Sequence, residues 1–261
     1  MALKGNRKSL PDFSYQSSNW PSFAYERKLH KKGYKIIAGV DEVGRGCFAG
    51  PVVAGCVVFP AGLVVNGGVL SRNSPKSTHE GTPALGLPVA RHPSILINDS
   101  KKLSPKRREI ADRWIRKNAL AFGIGQASVA QINRLGIKKA SEIAFRKAIK
   151  DTGIEINYLL IDAFYIPYIK GLRRKNQKPI IKGDTKSISI AAASIVAKVY
   201  RDKLMTDLGK KSKYRKYKWT KNKGYGTLDH REAIKKHGTT RQHRKQFVET
   251  WISSSSSSRA Q

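Results

Sequence analysis

Acidic residues are scarce in this chain: 18 Asp and Glu stand against 51 Lys and Arg in 261 residues, a formal net charge of +33. So unbalanced a chain implies a polyanionic partner, and nucleic acid is the commonest one. An acidic membrane surface would serve the charge equally, but no strongly amphipathic basic helix stands out. No apolar run approaches the length of a membrane span, and the opening MALKGNRKSLPDF lacks the apolar core of a signal peptide. Cysteine is almost missing. Cys47 and Cys56 lie nine positions apart with no His or Cys at metal-ligand spacing, which excludes a thiolate metal site and leaves two buried free thiols in a reducing, cytoplasmic compartment as the expectation. There is no internal repeat, and no Gly-Lys-Ser/Thr closes the glycine-rich stretch, so a phosphate-binding loop is excluded.

What is present centres on Ile36 to Pro51, IIAGVDEVGRGCFAGP. An apolar run long enough for a buried strand ends in two adjacent carboxylates, Asp41 and Glu42, and Gly44-Arg45-Gly46 follows at once. Carboxylates at the end of a buried strand are costly to desolvate unless something positive meets them. A divalent metal ion is one answer; a solvated turn is the other. Neighbours on a regular strand point to opposite faces, so both carboxylates share a site only if the strand ends or bulges there.

The rest of the chain reads as α/β with a mixed sheet. Residues 1–33 form a basic N-terminal segment with a short helix over 21–32. Strands are expected near 36–42, 51–59, 120–127, 158–161 and 179–181, with 61–94 a Gly-, Pro- and Ser-rich surface insertion, partly disordered. Ser104-Pro105 caps a helix to about Asn118, a second helix spans 129–151, and Ser187 to Leu208 is a long helix whose Ala191, Ala192, Ala193 and Ala197 let it lie close to a sheet. Acidic residues end or follow three strands: Asp41-Glu42, Asp162 and Asp184. In residues 209–223 eight basic residues and no acidic ones interleave with Tyr214, Tyr217 and Trp219. The aromatics are expected to anchor this segment and the basic residues to border a polyanion, although a charge run is as readily a solvated loop. Residues 209–252 read as a small C-terminal helical extension and 253–261 as a disordered, serine-rich tail.

These motifs carry a resemblance. Gly39 to Gly46 with Ala49 to Ala54, then Asn98 to Ser104, Ile161-Asp162, Lys182 to Ser187, Ile190 to Asp202, Lys223-Gly224-Tyr225 and His243-Arg244 follow in the order found in bacterial ribonuclease HII, the type 2 ribonucleases H. The resemblance spans roughly residues 34–250, with 34–208 as the catalytic domain. It implies a ribonuclease H-like fold: a mixed five-stranded sheet flanked by helices. It implies an endoribonuclease that cuts the RNA strand of RNA/DNA hybrids and incises 5′ of ribonucleotides in duplex DNA, the alternative being a non-catalytic nucleic-acid-binding protein on the same scaffold. By match of motif, Asp41, Glu42, Asp162 and Asp184 are the acidic metal-binding and catalytic residues, with Mg²⁺ or Mn²⁺ as cofactor. Gly44, Arg45 and Gly46 recognise the 2′-hydroxyl at the junction, and Tyr225 packs on the following deoxyribose; on residue type alone Tyr225 is equally a core aromatic. Lys101, Lys182 and Ser187 are further expected substrate contacts. The protein is expected to act as a monomer, away from membranes. Two features depart from the family pattern: Ala163 stands where a glycine follows the third acidic residue, and the 61–94 insertion is long. The sister HIII type carries a large N-terminal domain for which residues 1–33 leave no room.

Overall fold

The computed structural model describes residues 20–66, 69–72 and 97–257. In chain order the elements are α1 (Ala24–His30), β1 (Ile37–Val43), β2 (Val52–Val58), β3 (Leu63–Asn66), β4 (Val69–Arg72), α2 (Pro105–Asn118), β5 (Ala121–Ala127), α3 (Val129–Asp151), β6 (Tyr158–Asp162), β7 (Gln177–Ile180), α4 (Ile188–Lys210), α5 (Ser212–Arg215), α6 (Trp219–Asn222), α7 (Leu228–His237) and α8 (Lys245–Ser257). Five strands make one sheet in the order β5-β2-β1-β6-β7. The first three pair antiparallel, and β1-β6 and β6-β7 pair parallel. The sheet is therefore mixed, as expected.

Helices cover both faces because both faces are apolar. One core joins the sheet to α3 through Val40, Cys56, Phe145 and Ile161; the other joins it to α2 and α4 through Val57, Ile115, Ala192 and Val196. The small residues of α4 do what their size predicts: a Cβ at Gly55 of β2 would lie only 2.3 Å from the Ala193 carbonyl oxygen, so backbone meets backbone without side chains between. Ser104 caps α2 by accepting from the Arg107 N–H, with Pro105 in the first turn. Gly136 interrupts α3 in a left-handed conformation (φ 78°), which the periodicity over 129–151 did not show.

Two expectations change, and the insertion gains detail: its described part forms a β3-β4 hairpin, with residues 67–68 and 73–96 outside the described residues. The tail expected to be disordered from 253 remains helical to Ser257; the Ser253 hydroxyl donates to the Glu249 carbonyl and that of Ser254 to the Trp251 carbonyl, so serine bonds the helix instead of competing with it. Residues 258–261 lie outside the described residues. Finally, β1 neither ends nor bulges at its carboxylates: its register with β2 runs unbroken from Ala38–Val58 to Val43–Val53.

The C-terminal helices pack on the far part of α4. Tyr214, Tyr217 and Trp219 are buried there with Met205, Ile234 and Val248, while Lys211, Lys213, Arg215 and Lys216 between them are exposed. The aromatics anchor the segment, as expected. No helix among the described residues is long and apolar enough to cross a membrane. Cys47 and Cys56 are both buried and free.

Candidate active site

One edge of the sheet gathers the acidic residues. The parallel ladder between β1 and β6 stops at Val40–Ile161, which leaves Asp41 level with Asp162, the last residue of β6. Asp41 and Glu42 keep the alternation of β1, but both stand past that final rung, where the ladder to β6 has ended and one cleft of about 600 Å³ is lined by both together with Asp162 and Asp184. Asp184 arrives by a turn. After β7 the chain passes Lys182 in a left-handed conformation (φ 54°) into a 3-10 turn over Gly183–Thr185. The Gly183 N–H donates to Asp162 Oδ1 at 2.8 Å, tying that turn to the end of β6.

The cleft is electrostatically strained. Burial holds the Asp41 carboxyl well above the usual carboxylate range, and the charges of Glu42, Asp162 and Asp184 add to it; Ser194 opposes, and the Glu42 N–H donates to Asp41 Oδ1 at 2.8 Å. Burial also raises Glu42, against the pull of Arg45, whose Nη1 lies 3.1 Å from Glu42 Oε1. Asp184 is raised by burial and by the nearby Asp99 and Asp162, with Lys101 opposing. Among the described residues the Arg45–Glu42 pair is the only ion pair any of the four makes, and Arg45 is too exposed for it to be worth much. Among the described residues no three acidic, His or Cys side chains are already arranged to hold a metal ion by themselves.

Gly44, Arg45, Gly46, Lys101 and Tyr225 also line this cleft. Tyr225 is 37% exposed and so is not a core aromatic. Burial and the neighbouring Cys47 push its pKa up to about 12. Lys182 and Ser187 do not line the cleft. The Lys182 side chain is exposed, and its carbonyl accepts from Thr185. Ser187 is fully buried: its hydroxyl donates to Glu26 at 2.6 Å and accepts from the Ile190 N–H, capping α4. It serves the helix, and its place as a substrate contact is not supported by this geometry.

Four lining residues escaped the residue-level reading: Ser100, Arg108, Ser194 and Lys198. Asp202 organises two of them, accepting from Arg108 Nη1 at 3.2 Å and from Lys198 Nζ at 2.8 Å. The Lys198–Asp202 spacing of four on α4 was a legible signal for that pair. Arg108 further donates to the carbonyls of Ser100 and Leu103, so α2 holds the Asn98–Ser104 turn at the cleft wall.

With this geometry in place, the comparisons with known proteins are specific. The family model described as Ribonuclease HII matches residues 91–251. A ribonuclease HII of Caldanaerobacter subterraneus subsp. tengcongensis is 42% identical over 225 residues, 86% of this chain and 79% of its own. The fold is similar to ribonuclease HII in the PCNA:RNase HII complex from Archaeoglobus fulgidus, with TM-score 0.57 and 23% identity over 80% of this chain and 93% of that one. It is also similar to Bst-RNase HIII in complex with Mn²⁺, with TM-score 0.54 and 19% identity over 84% of this chain and 66% of that one. The chain belongs to the ribonuclease HII family: it is a type 2 ribonuclease H, a hydrolase that acts as an endoribonuclease.

Proposed function

We propose that the protein cuts the RNA strand of RNA/DNA hybrids and incises duplex DNA on the 5′ side of an embedded ribonucleotide, using divalent ions held by Asp41, Glu42, Asp162 and Asp184. The observation that carries this reading is the convergence of four carboxylates from β1, the end of β6 and the turn after β7 in one cleft, with a single ion pair among them, inside a chain of net charge +33. The donor set fits hard cations: oxygen ligands only, with no Cys or His among them. Bound there, a pair of Mg²⁺ or Mn²⁺ ions would activate a water and stabilise the leaving oxygen. The Mn²⁺ of the Bst-RNase HIII structure is in keeping with this donor chemistry.

The chain's own residues divide the remaining work. Asp162 orients the Asp184 turn through the Gly183 N–H. Arg45 and Tyr225 stand on the same rim, one able to reach the 2′-hydroxyl that distinguishes RNA from DNA, the other offering an apolar ring face to a sugar lacking it. Lys101 and Lys198 place positive charge where phosphates would pass. The exposed basic residues of 211–216 extend that path beyond the cleft. All these residues come from one chain, so the reading needs a single copy.

A duplex carrying one ribonucleotide, assayed with and without Mg²⁺ or Mn²⁺, tests the reading. Incision should require the ion and fall by about a thousandfold in Asp162→Asn, with hybrid binding retained. Metal-independent cutting, or full activity in Asp162→Asn, would refute it.

A further inference from the structure

Two of the chain's arginines do not serve as surface charge. Arg201, on α4, and Arg244, just before α8, are both fully buried. Among the described residues neither makes an ion pair. Their partners are carbonyl oxygens, four of them in the turn between β1 and β2 and one at Lys223. Arg244 donates through Nη1 to the Arg45 carbonyl at 2.7 Å and through Nε to that of Gly50 at 2.9 Å. Arg201 donates to the carbonyls of Ala49, Pro51 and Lys223, each at 3.0 Å. Its guanidinium also lies 5.7 Å from the centre of the Tyr225 ring. The turn is shaped around this side chain: Gly44 adopts φ +90°, and a Cβ there would lie 2.2 Å from Arg201 Nε.

Burying two cations without counter-ions is expensive, and apolar side chains of similar size would stabilise the fold at lower cost. What a guanidinium supplies and an apolar group or lysine cannot is a rigid planar fork that fixes several acceptors at once. The acceptors here belong to the two segments that bear the rim residues Arg45 and Tyr225. We infer that Arg201 and Arg244 are positioning residues for sugar discrimination: they hold the Gly44–Pro51 turn and the Lys223–Tyr225 turn in fixed relation, so that Arg45 and Tyr225 bracket a ribose and the deoxyribose that follows it. Neither arginine touches substrate. The inference rests on the proposed function, and it assigns the sugar selectivity of that site to side chains beneath it.

The test compares kcat/KM for a duplex in which the single ribonucleotide is followed by a deoxyribonucleotide with kcat/KM for one in which it is followed by a second ribonucleotide. Arg244→Lys and Arg201→Lys should each reduce that ratio by about tenfold, because a lysine restores the charge but not the fork. Cleavage of a long RNA/DNA hybrid should fall far less. Coupling provides the readout that simple loosening would not move: Arg244→Lys should cost little further discrimination in an Arg45→Ala background, and Arg201→Lys little further in a Tyr225→Ala background. Val248→Ala, a core substitution in the same C-terminal unit, serves as the control for lost stability. If it lowers discrimination as much as the arginine variants at equal loss of Tm, or if the double variants lose discrimination additively, the two arginines merely hold the fold and the inference fails. A wild-type protein that cuts ribonucleotide-containing duplex while both arginine variants keep full discrimination also overturns it, and it alone. A wild-type protein that cuts no such duplex overturns the proposed function and this inference together.

Discussion

The acidic cleft and the C-terminal unit are both polar inside, and they solve that problem in opposite ways. In the cleft, carboxylates are crowded with only one of them ion-paired among the described residues, and burial raises Asp41, Glu42 and Asp184. In the C-terminal unit most buried polar atoms are matched, Arg244 Nη2 being an exception. The Trp219 indole N–H donates to His230 Nε2 at 3.0 Å, and His230 Nε2 also meets His243 Nε2 at 3.2 Å. The Thr240 N–H donates to His243 Nδ1, so His243 carries its proton on Nε2 and gives it to His230, whose Nδ1–H is left to donate to the Tyr225 carbonyl. One region stores unfavourable energy for a ligand to relieve; the other spends its polar groups on a fixed shape.

The sharpest way to break this comparison is to remove a side chain from each region. Trp219→Ala deletes a fully buried ring stacked on Tyr217 at 5.4 Å and should cost about 3–5 kcal/mol in denaturant unfolding. Next comes acid. Burial lowers the pKa of both histidines, His243 to about 4 from 6.5, with His230 as a further cause for His243. Among the described residues no carboxylate hydrogen-bonds this pair; its partners are Trp219, Thr240 and the Tyr225 carbonyl. Both rings are therefore neutral in the folded state, and the stability they provide is complete above pH 6.5 and drains away as pH falls towards 4. Tm followed across that window should fall in the wild type and fall less steeply in a folded His243→Gln variant.

In the cleft the expected sign is reversed. Asp41→Asn removes the most crowded carboxylate, so in chelator the protein should gain about 1–2 kcal/mol of stability while losing cleavage. A loss of stability instead would mean the Ser194 hydrogen bond outweighs the charge repulsion. The smallest effect concerns Ala163, beside Asp162, which sits at φ 69° where a Cβ is strained. Ala163→Gly should relieve up to about 1 kcal/mol, net of the looser unfolded chain. An unchanged or lowered Tm would show that the strain is already absorbed nearby.

How much of this was legible in the sequence depends on whether a residue's partner leaves a pattern. Strands showed as apolar runs, and Asp162 and Asp184 showed as acidic residues beside their ends. The alternation rule correctly flagged Asp41 and Glu42 as facing apart, but the remedy lay in where the neighbouring strand stops, which no local pattern encodes. Ser187 was read as a contact because its motif lies beside Asp184; its actual partner, Glu26, is 161 positions away. Arg201 and Arg244 stood inside recognised motifs yet had no legible role, and Arg108 escaped altogether, for a related reason. Most of their partners are carbonyls, which every residue has, and in so basic a chain buried arginines look like any others.

The turn bearing Arg45 is closed by the end of the chain, and that imposes an order of events. The Gly50 N–H donates to the Gln242 carbonyl, and the Arg244 N–H to that of Phe48. The bond from Arg244 to the Arg45 carbonyl spans 199 positions. Contacts this distant form late, because the intervening chain must first be ordered. During synthesis all four carboxylates leave the ribosome long before residues 242–244 do, so a nascent chain carries its full complement of acidic residues before the turn beside them can close.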